Sequence, residues 1–135
     1  MNDDAQVKPR HFDELLGTEW LSDDPEDARV RLSLRDELRQ PFGPMHGGVM
    51  STIVESICSK AAAGAVYDDG NVALGQSISM NFIRPVLGGG IEVRARARHR
   101  GRTTWVWDAE VLNDEGKVCA LGQMTVAIRP RPRSS

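Results

Sequence analysis

Cysteine and histidine are scarce in this sequence, and neither sign of charge dominates. The 135 residues include two cysteines and three histidines, and the formal net charge is −2. Cys58 and Cys119 have no paired motif spacing, which favours buried free thiols over a disulfide. So few histidines and cysteines also argue against a zinc site. The near balance of charge gives no reason to expect nucleic acid as a partner.

Long apolar runs and targeting segments are also missing. The sequence contains no uninterrupted apolar run of about 18 residues, the length that suggests a membrane span. The polar segment Met1–Gln6 lacks the pattern of a signal peptide. We therefore expect a cytoplasmic protein with no membrane partner. A length of 135 residues with 40% hydrophobic content fits one globular domain.

The two ends of the chain differ in composition from its middle. Residues 1–9 are polar, and we expect them to be disordered. Residues 130–135 are basic and contain proline, which predicts a flexible tail rather than a nucleic-acid-binding arm. Residues 10–129 are then expected to form the single domain.

Hydrophobic periodicity predicts one strand, one long helix and four further strands in that order. The helix covers about residues 47–67, where the apolar period is 3.6. The strands, where the period is 2, cover residues 30–35, 72–84, 91–98, 105–112 and 117–128. The short connections predict antiparallel neighbours. The expected fold class is therefore α+β, with an antiparallel β-sheet wrapped around one long central helix.

The predicted helix has an unusual second face. One face is apolar and contains Val49, Met50, Ile53, Val54, Ile57, Cys58, Ala61 and Ala65. The other face carries small residues and one carboxylate, namely Gly48, Thr52, Glu55, Ser59, Ala62 and Ala63. This face could be an exposed alanine-rich surface, but we favour its being covered by a second chain. A partly buried carboxylate without a cation nearby in sequence also indicates a functional role for Glu55.

A Gly/Pro-rich turn that ends in His46-Gly47-Gly48 leads directly into this helix. Backbone N–H groups at a helix start are unpaired, so they can bind a carbonyl oxygen or an anion. Glu55 follows nine residues after His46 and can act as a base or a nucleophile. Together these features indicate a site for attack on a carbonyl group.

The pattern Gln40-Pro-Phe-Gly-x-x-His-Gly-Gly-x6-Glu-Ser-Ile-x-Ser59 resembles the hotdog-fold acyl-CoA thioesterases. It is most similar to the phenylacetate-degradation and 4-hydroxybenzoyl-CoA type, in the branch with the 1,4-dihydroxy-2-naphthoyl-CoA thioesterases. The resemblance continues through Asn81–Arg84 and Gly116–Ile128 and covers roughly residues 20–129. It implies a hotdog fold and hydrolysis of an acyl-CoA thioester without a metal or organic cofactor. It also implies a homodimer or homotetramer whose active site lies between subunits.

The resemblance assigns catalytic roles to five residues. Glu55 would be the general base or nucleophile, and the Gly47 N–H would polarise the thioester carbonyl. Gln40 would lie near the carbonyl and water, His46 would position the substrate, and Ser59 would supply a hydroxyl. Simpler structural roles are also open for three of them. His46 could cap the helix, Gln40 could solvate the turn, and Ser59 could merely pack closely.

Further residues are expected to contact the substrate or its CoA moiety. Arg102 lies in a turn where relatives place CoA-contacting residues, and arginine binds phosphate well. The arginines at 94, 96, 98 and 100 are most simply a solvated sheet face. The complete predicted binding set is Gly48, Asn81, Phe82, Arg84, Arg102, Thr103 and Thr104.

Two other functions are compatible with such a chain. A hotdog hydratase or dehydratase would also use a helix start to polarise a thioester, but it needs an acid/base pair and a different motif. A non-catalytic acyl-CoA-binding protein would not require a carboxylate beside the carbonyl. The residues that would shape an acyl pocket are scattered, so the pattern favours neither aryl nor aliphatic acyl groups.

Overall fold

A six-stranded antiparallel sheet wraps around one long helix in the computed structural model, which describes residues 11–132. The order of strands across the sheet is β1-β2-β4-β5-β6-β3. The helices are α1 (Phe12–Leu16) and α2 (Gly47–Val66), and the strands are β1 (Glu19–Ser22), β2 (Ala28–Ser33), β3 (Asn71–Phe82), β4 (Gly90–Arg100), β5 (Thr104–Asn113) and β6 (Val118–Pro130). The predicted fold class is confirmed.

The core lies between α2 and the concave face of the sheet. Eight residues of α2 are buried, and most follow the 3.6-residue period of an amphipathic helix: Met50, Ile53, Val54, Ile57, Cys58, Ala61, Ala62 and Val66. On the sheet, the alternation of β4 buries Val93 and Ala95 and exposes Arg94 and Arg96. Trp107 on β5 is fully buried in the same core.

By length and composition alone, Gly47–Asp69 could cross a membrane. Its apolar face packs on the sheet, and burial in the core accounts for that apolarity. The two cysteines are free and buried, as predicted. Burial explains both features without a membrane or a disulfide.

The structure corrects the predicted faces of α2 at two alanines. Ala65 is exposed, although the period placed it on the apolar face. Ala62, which was placed on the face open to a second chain, is completely buried within the protomer. The stripe that remains open to a partner therefore contains Thr52, Glu55, Ser59 and Ala63, each at least partly accessible.

The long strand β3 forms one edge of the sheet. Within residues 11–132 this strand of 12 residues pairs only with β6, and it carries the exposed apolar side chains Leu74, Ile78 and Phe82. The ladder between β3 and β6 shifts between Gly75 and Ser77, leaving Gln76 as a bulge. The opposite edge is β1, a strand of four residues that the sequence did not predict.

Two residues that follow the predicted boundary at residue 129 have defined contacts. Strand β6 continues to Pro130, and the Arg131 N–H donates to the Gly70 carbonyl over 2.7 Å. The Arg131 guanidinium lies 4.2 Å from the centroid of the Tyr67 ring. The predicted disordered segment 1–9 and residues 133–135 of the predicted tail lie outside the described residues.

Candidate active site

The turn before α2 is closed by its own backbone. The Gln40 N–H donates to the Pro44 carbonyl over 2.7 Å, and the Gly43 N–H donates to the Gln40 carbonyl over 2.9 Å. Gly43 has a φ of 111°, a conformation that favours glycine. The side-chain amide of Gln40 is half-buried and has no hydrogen-bond partner among residues 11–132. The turn thus holds a free amide close to the helix start.

His46 caps helix α2. Its Nδ1 accepts a hydrogen bond from the Gly48 N–H over 2.8 Å. In the neutral ring the remaining proton is then on Nε2. The Gly48 N–H, predicted to contact substrate, is therefore already paired with His46. The capping role that was open for His46 is present in the structure, and its substrate-positioning role stays a prediction.

Gly47 is the first residue of α2, and its N–H has no acceptor among the described residues. A Cβ added to Gly47 would lie only 3.0 Å from Cε1 of Phe82. The end of β3 therefore packs directly on the helix start, and a side chain at residue 47 would force the Phe82 ring to move. The free N–H and the phenyl ring are held side by side.

A cavity of about 500 Å³ opens beside this helix start. Its size is within the usual range for small-molecule sites, roughly 300–1,000 Å³. Six residues predicted from the sequence line it, namely Gln40, His46, Gly47, Gly48, Phe82 and Arg84. The Arg84 guanidinium also donates to the Val118 carbonyl over 2.9 Å, which ties it to β6.

Glu55 lies farther along α2, against the bulged part of β3. A Cβ added to Gly75 would lie 3.7 Å from both Oε1 of Glu55 and Oγ of Ser59. Glu55 is exposed, and its carboxylate has no hydrogen bond or ion pair within the described part of the chain. Oγ of Ser59 is buried there without a hydrogen-bond partner. The structure thus brings together two predicted catalytic residues whose polar atoms are unpaired.

Two neighbours of Glu55 on α2 neither neutralise its carboxylate nor replace it as a nucleophile. Lys60, the one cation on the helix, forms an ion pair with Asp13 instead of with Glu55. Burial raises the pKa of the Cys58 thiol, and the charge of Glu55 raises it further. Cys58 is therefore protonated at neutral pH and a poor nucleophile. Across residues 11–132, no group of three His, Cys, Asp or Glu side chains is placed to hold a metal ion.

The two parts of the predicted site are separate within one protomer. Gly47 and Glu55 are eight residues apart on the same helix, which corresponds to about 12 Å along its axis at 1.5 Å per residue. One carbonyl group cannot contact both the Gly47 N–H and the Glu55 carboxylate at that distance. This separation is compatible with the active site between subunits that the family resemblance implies.

The remaining predicted contact residues lie in two further places. Asn81 precedes Phe82 on β3, so its side chain points to the opposite face of the sheet and away from the helix-start cavity. Arg102 and Thr103 lie in the turn between β4 and β5, and Thr104 is the first residue of β5. Thr104 pairs with Ala127 on β6, which in turn pairs with Leu74, so this turn lies at the Gly75 end of the sheet.

Gly75 is a site residue that the sequence analysis missed. Its absent side chain lets the strand approach Glu55 and Ser59 closely, and a Cβ there would lie only 2.6 Å from Cε of Met124. A signal was available, because an isolated glycine within a strand pattern often marks a bulge or a close approach of another group.

Comparison with known proteins identifies the family of this chain. A 1,4-dihydroxy-2-naphthoyl-CoA hydrolase of Escherichia coli is 31% identical over 82% of this chain and 79% of its own length. One from Listeria monocytogenes is 29% identical over 87% of this chain and 95% of its own length. The solved structure of thioesterase HI1161 from Haemophilus influenzae superposes with a TM-score of 0.86 and 26% identity, covering 95% of this chain and 89% of that one. The Thioesterase superfamily profile matches residues 42–120. The chain therefore belongs to the hotdog-fold thioesterase superfamily, as the sequence predicted.

Proposed function

We propose that this protein hydrolyses the thioester of an acyl- or aroyl-CoA to the free acid and CoA, with Glu55 as general base or nucleophile. The observation that carries the proposal is the unpaired carboxylate of Glu55 beside the unpaired hydroxyl of Ser59. A carboxylate that no cation neutralises is available to attack the thioester carbon or to deprotonate a water molecule. Gly75, without a side chain, lets β3 lie close to both groups, and a side chain there would collide with Cε of Met124 at 2.6 Å.

The helix start supplies the hydrogen-bond donors that would polarise the thioester carbonyl in the proposed site. The free N–H of Gly47 points from the positive end of α2 and would polarise the thioester carbonyl, stabilising negative charge on its oxygen. His46 holds the adjacent Gly48 N–H, so Gly47 provides the donor that remains available. The free amide of Gln40 would hydrogen-bond to the carbonyl or to the attacking water.

A second copy of the chain would complete this site. Strand β3 is a long edge strand with three exposed apolar side chains, and its free edge can pair with another strand. Antiparallel pairing of two β3 strands about a two-fold axis near Ile78 would place the Gly75 end of one strand beside the Phe82 end of the other. Glu55 of one copy would then approach Gly47 of the second copy, which removes the separation of about 12 Å within one chain. We therefore propose a homodimer, or a homotetramer built from two such dimers.

The β4–β5 turn is the proposed contact for the CoA phosphates. Arg102 is exposed and has no hydrogen bond or ion pair among the described residues. The strand arginines differ, because Arg94, Arg98 and Arg100 each lie within 4 Å of a carboxylate. Of these arginines, Arg102 is therefore the one free to bind a phosphate.

The assay for this proposal is release of free thiol from a panel of acyl-CoAs, read with a thiol-specific reagent. Two relatives are named as 1,4-dihydroxy-2-naphthoyl-CoA hydrolases, so aroyl-CoAs should be tested beside short and medium aliphatic ones. We expect release of CoA from at least one class. Formation or loss of a double bond in the acyl chain without thiol release would instead identify a hydratase, and binding without turnover a carrier.

The proposed assembly has its own test. Ile78→Lys places a charge at the centre of the β3 edge and should convert the assembly to monomers that have lost activity. Leu21→Lys, at the opposite edge on β1, is the matched control and should leave the assembly and the activity unchanged. Light scattering that shows the Ile78→Lys protein as an active monomer would refute the shared site.

A further inference from the structure

Helix α1 is held against α2 although it is too short to be stable alone. It has five residues, well below the roughly 12–15 that an isolated helix needs. Its last carbonyl groups are bound by Arg35, whose guanidinium donates to the Leu15 oxygen over 2.6 Å and to the Leu16 oxygen over 2.7 Å. Leu16 is buried in the core, and Gly17 ends the helix with a φ of 82°. The C-terminal end of α1 is thus fixed in place.

Asp13 fixes the other end of α1 to the middle of α2. Its carboxylate accepts a hydrogen bond from Oγ of Ser56 over 2.8 Å and forms an ion pair with Lys60. Only 12% of the Asp13 side chain is exposed, so this contact is shielded from water more than the surface ion pairs are. Ser56 and Lys60 lie one helical turn apart, and Ser56 is adjacent to Glu55. Asp13 therefore fastens α1 immediately beside the proposed reactive carboxylate.

Phe12 occupies an unusual position next to this fastening. It is a large apolar side chain with 59% of its surface exposed, so burial in the core does not explain its placement. Phe12 lines a cavity of about 280 Å³ together with Glu55, Ser51, Thr52 and Ser56. Phe12 is the one aromatic among these five lining residues, and the others are three hydroxyls and the carboxylate. This volume is near the lower end of the range for ligand sites, and it suits an acyl group better than a whole CoA.

We infer that Phe12 is a specificity-determining residue, forming one wall of the acyl pocket beside Glu55 and favouring a flat aromatic acyl group over a short aliphatic one. Asp13 is the positioning residue that holds Phe12 there through Ser56 and Lys60. This inference rests on the proposed thioesterase function, because it assigns the acyl end of the substrate to the Glu55 side of the site.

The preference follows from how a phenyl ring interacts with the two kinds of acyl group. A flat aromatic group can stack offset or edge-to-face on the Phe12 ring and gains a specific interaction beyond the burial of apolar area. A short alkyl group covers less of the ring and gains only part of that burial. Removal of the ring should therefore weaken hydrolysis of the aromatic substrate selectively.

The test compares kcat/KM for benzoyl-CoA and n-butyryl-CoA in the full-length protein and its variants. Phe12→Ala should lower the value for benzoyl-CoA by about tenfold and that for butyryl-CoA by less than about twofold, within the range of aromatic pair energies. Phe12→Tyr keeps the ring and should retain the wild-type ratio. Asp13→Ala retains the Phe12 side chain but removes the contact that fixes α1. It should therefore shift the ratio of kcat/KM for the two substrates in the same direction as Phe12→Ala.

Leu15→Ala is the control, because Leu15 is also exposed on α1 but does not line this cavity. This variant should leave kcat/KM unchanged for both substrates. Thermal unfolding of each variant will show whether loosening of α1 lowers the stability of the whole protein. If Phe12→Ala leaves the ratio of kcat/KM for the two substrates unchanged, the inference is wrong while the proposed function stays intact. A wild-type protein that hydrolyses no acyl-CoA would overturn the proposed function, and this inference with it.

Discussion

The start and the middle of helix α2 differ in how completely one chain builds them. At the start, the turn is closed by backbone hydrogen bonds, His46 caps the helix, and Phe82 packs on Gly47. In the middle, Glu55 and Ser59 have unpaired polar atoms that face a strand position without a side chain. The start of α2 thus presents hydrogen-bond donors on a turn that its own hydrogen bonds fix, and the middle presents an unpaired carboxylate and an unpaired hydroxyl.

This difference indicates which region polarises the carbonyl and which region supplies the carboxylate in the proposed enzyme. Groups that polarise a carbonyl must be fixed in direction before the substrate arrives, so they belong on a rigid, self-contained turn. The carboxylate must act on a carbon that those groups hold, and within one protomer Glu55 lies about 12 Å farther along the helix axis than Gly47. A second copy satisfies both requirements.

Glu55→Gln should have the largest effect on turnover. The amide keeps the shape of the side chain but cannot act as a base or nucleophile, so kcat should fall by at least ~10³-fold, or ~4 kcal/mol in the barrier. Glu110→Gln, on the outer face of β5, is the matched control and should remain active. Circular dichroism should show both proteins folded. Turnover of Glu55→Gln within about threefold of wild type would mean that the carboxylate is not catalytic.

Gly47→Pro removes the free N–H while keeping a helix start, because proline is well accepted at the first helical position. The preceding residue, His46, already has the extended conformation that proline requires (φ −63°, ψ 129°). We expect kcat to fall by roughly 10²- to 10³-fold, as for loss of one oxyanion donor. Gly47→Ala meets the same Phe82 ring but retains the N–H, so it should lose much less. Equal losses would assign the effect to crowding by the side chain.

His46→Ala should have a smaller effect, on both stability and rate. Loss of the helix cap should cost about 1 kcal/mol of folding free energy and leave the Gly48 N–H unpaired. We expect kcat to fall about tenfold, because the Gly47 donor loses its fixed direction. His46→Asn can cap the helix through its amide oxygen and should recover the stability and most of the rate. An Asn variant as slow as the Ala variant would show that the imidazole also contacts the substrate.

Arg102→Ala should have the smallest effect, confined to binding of the nucleotide. A phosphate contact is far from the reacting carbonyl, so KM should rise several-fold for every acyl-CoA with kcat nearly unchanged. Activity on a short N-acetylcysteamine thioester, which lacks the nucleotide, should be retained. Arg98→Ala, at an arginine near Asp108, is the control. Equal losses on both kinds of substrate would show that Arg102 supports the fold instead.

Much of the fold was predictable because its elements have strong periodicity. The hydrophobic pattern repeats several times in the 20-residue helix and in the alternating strands β4, β5 and β6. These elements lie in the structure close to their predicted positions. Strand β1 was missed because Glu19–Ser22 is too short to show a period. Ala62 was assigned to the wrong face because alanine marks neither a buried nor an exposed position by its chemistry.

The site was predictable only where neighbours in sequence are neighbours in space. The turn from Gln40 to Gly48 and the helix position of Glu55 are local features, so the motif identified them. The contact of Gly75 with Glu55 and the bond from Ser56 to Asp13 join distant parts of the chain. The separation of Gly47 from Glu55 follows from helical rise, and the proposed completion of the site by a second copy depends on how β3 pairs.

Mixing two inactive variants tests the shared site most directly. One partner carries Glu55→Gln and the other Gly47→Pro, and differently tagged chains are allowed to exchange subunits before thiol release is measured. If each site takes Gly47 from one copy and Glu55 from the other, every mixed dimer regains one intact site. Random mixing of equal amounts should then restore about a quarter of wild-type activity, since half of the dimers are mixed and each has one of two sites restored. Exchange that is confirmed by the tags without recovered activity would show that both groups act within a single chain, and would contradict this account.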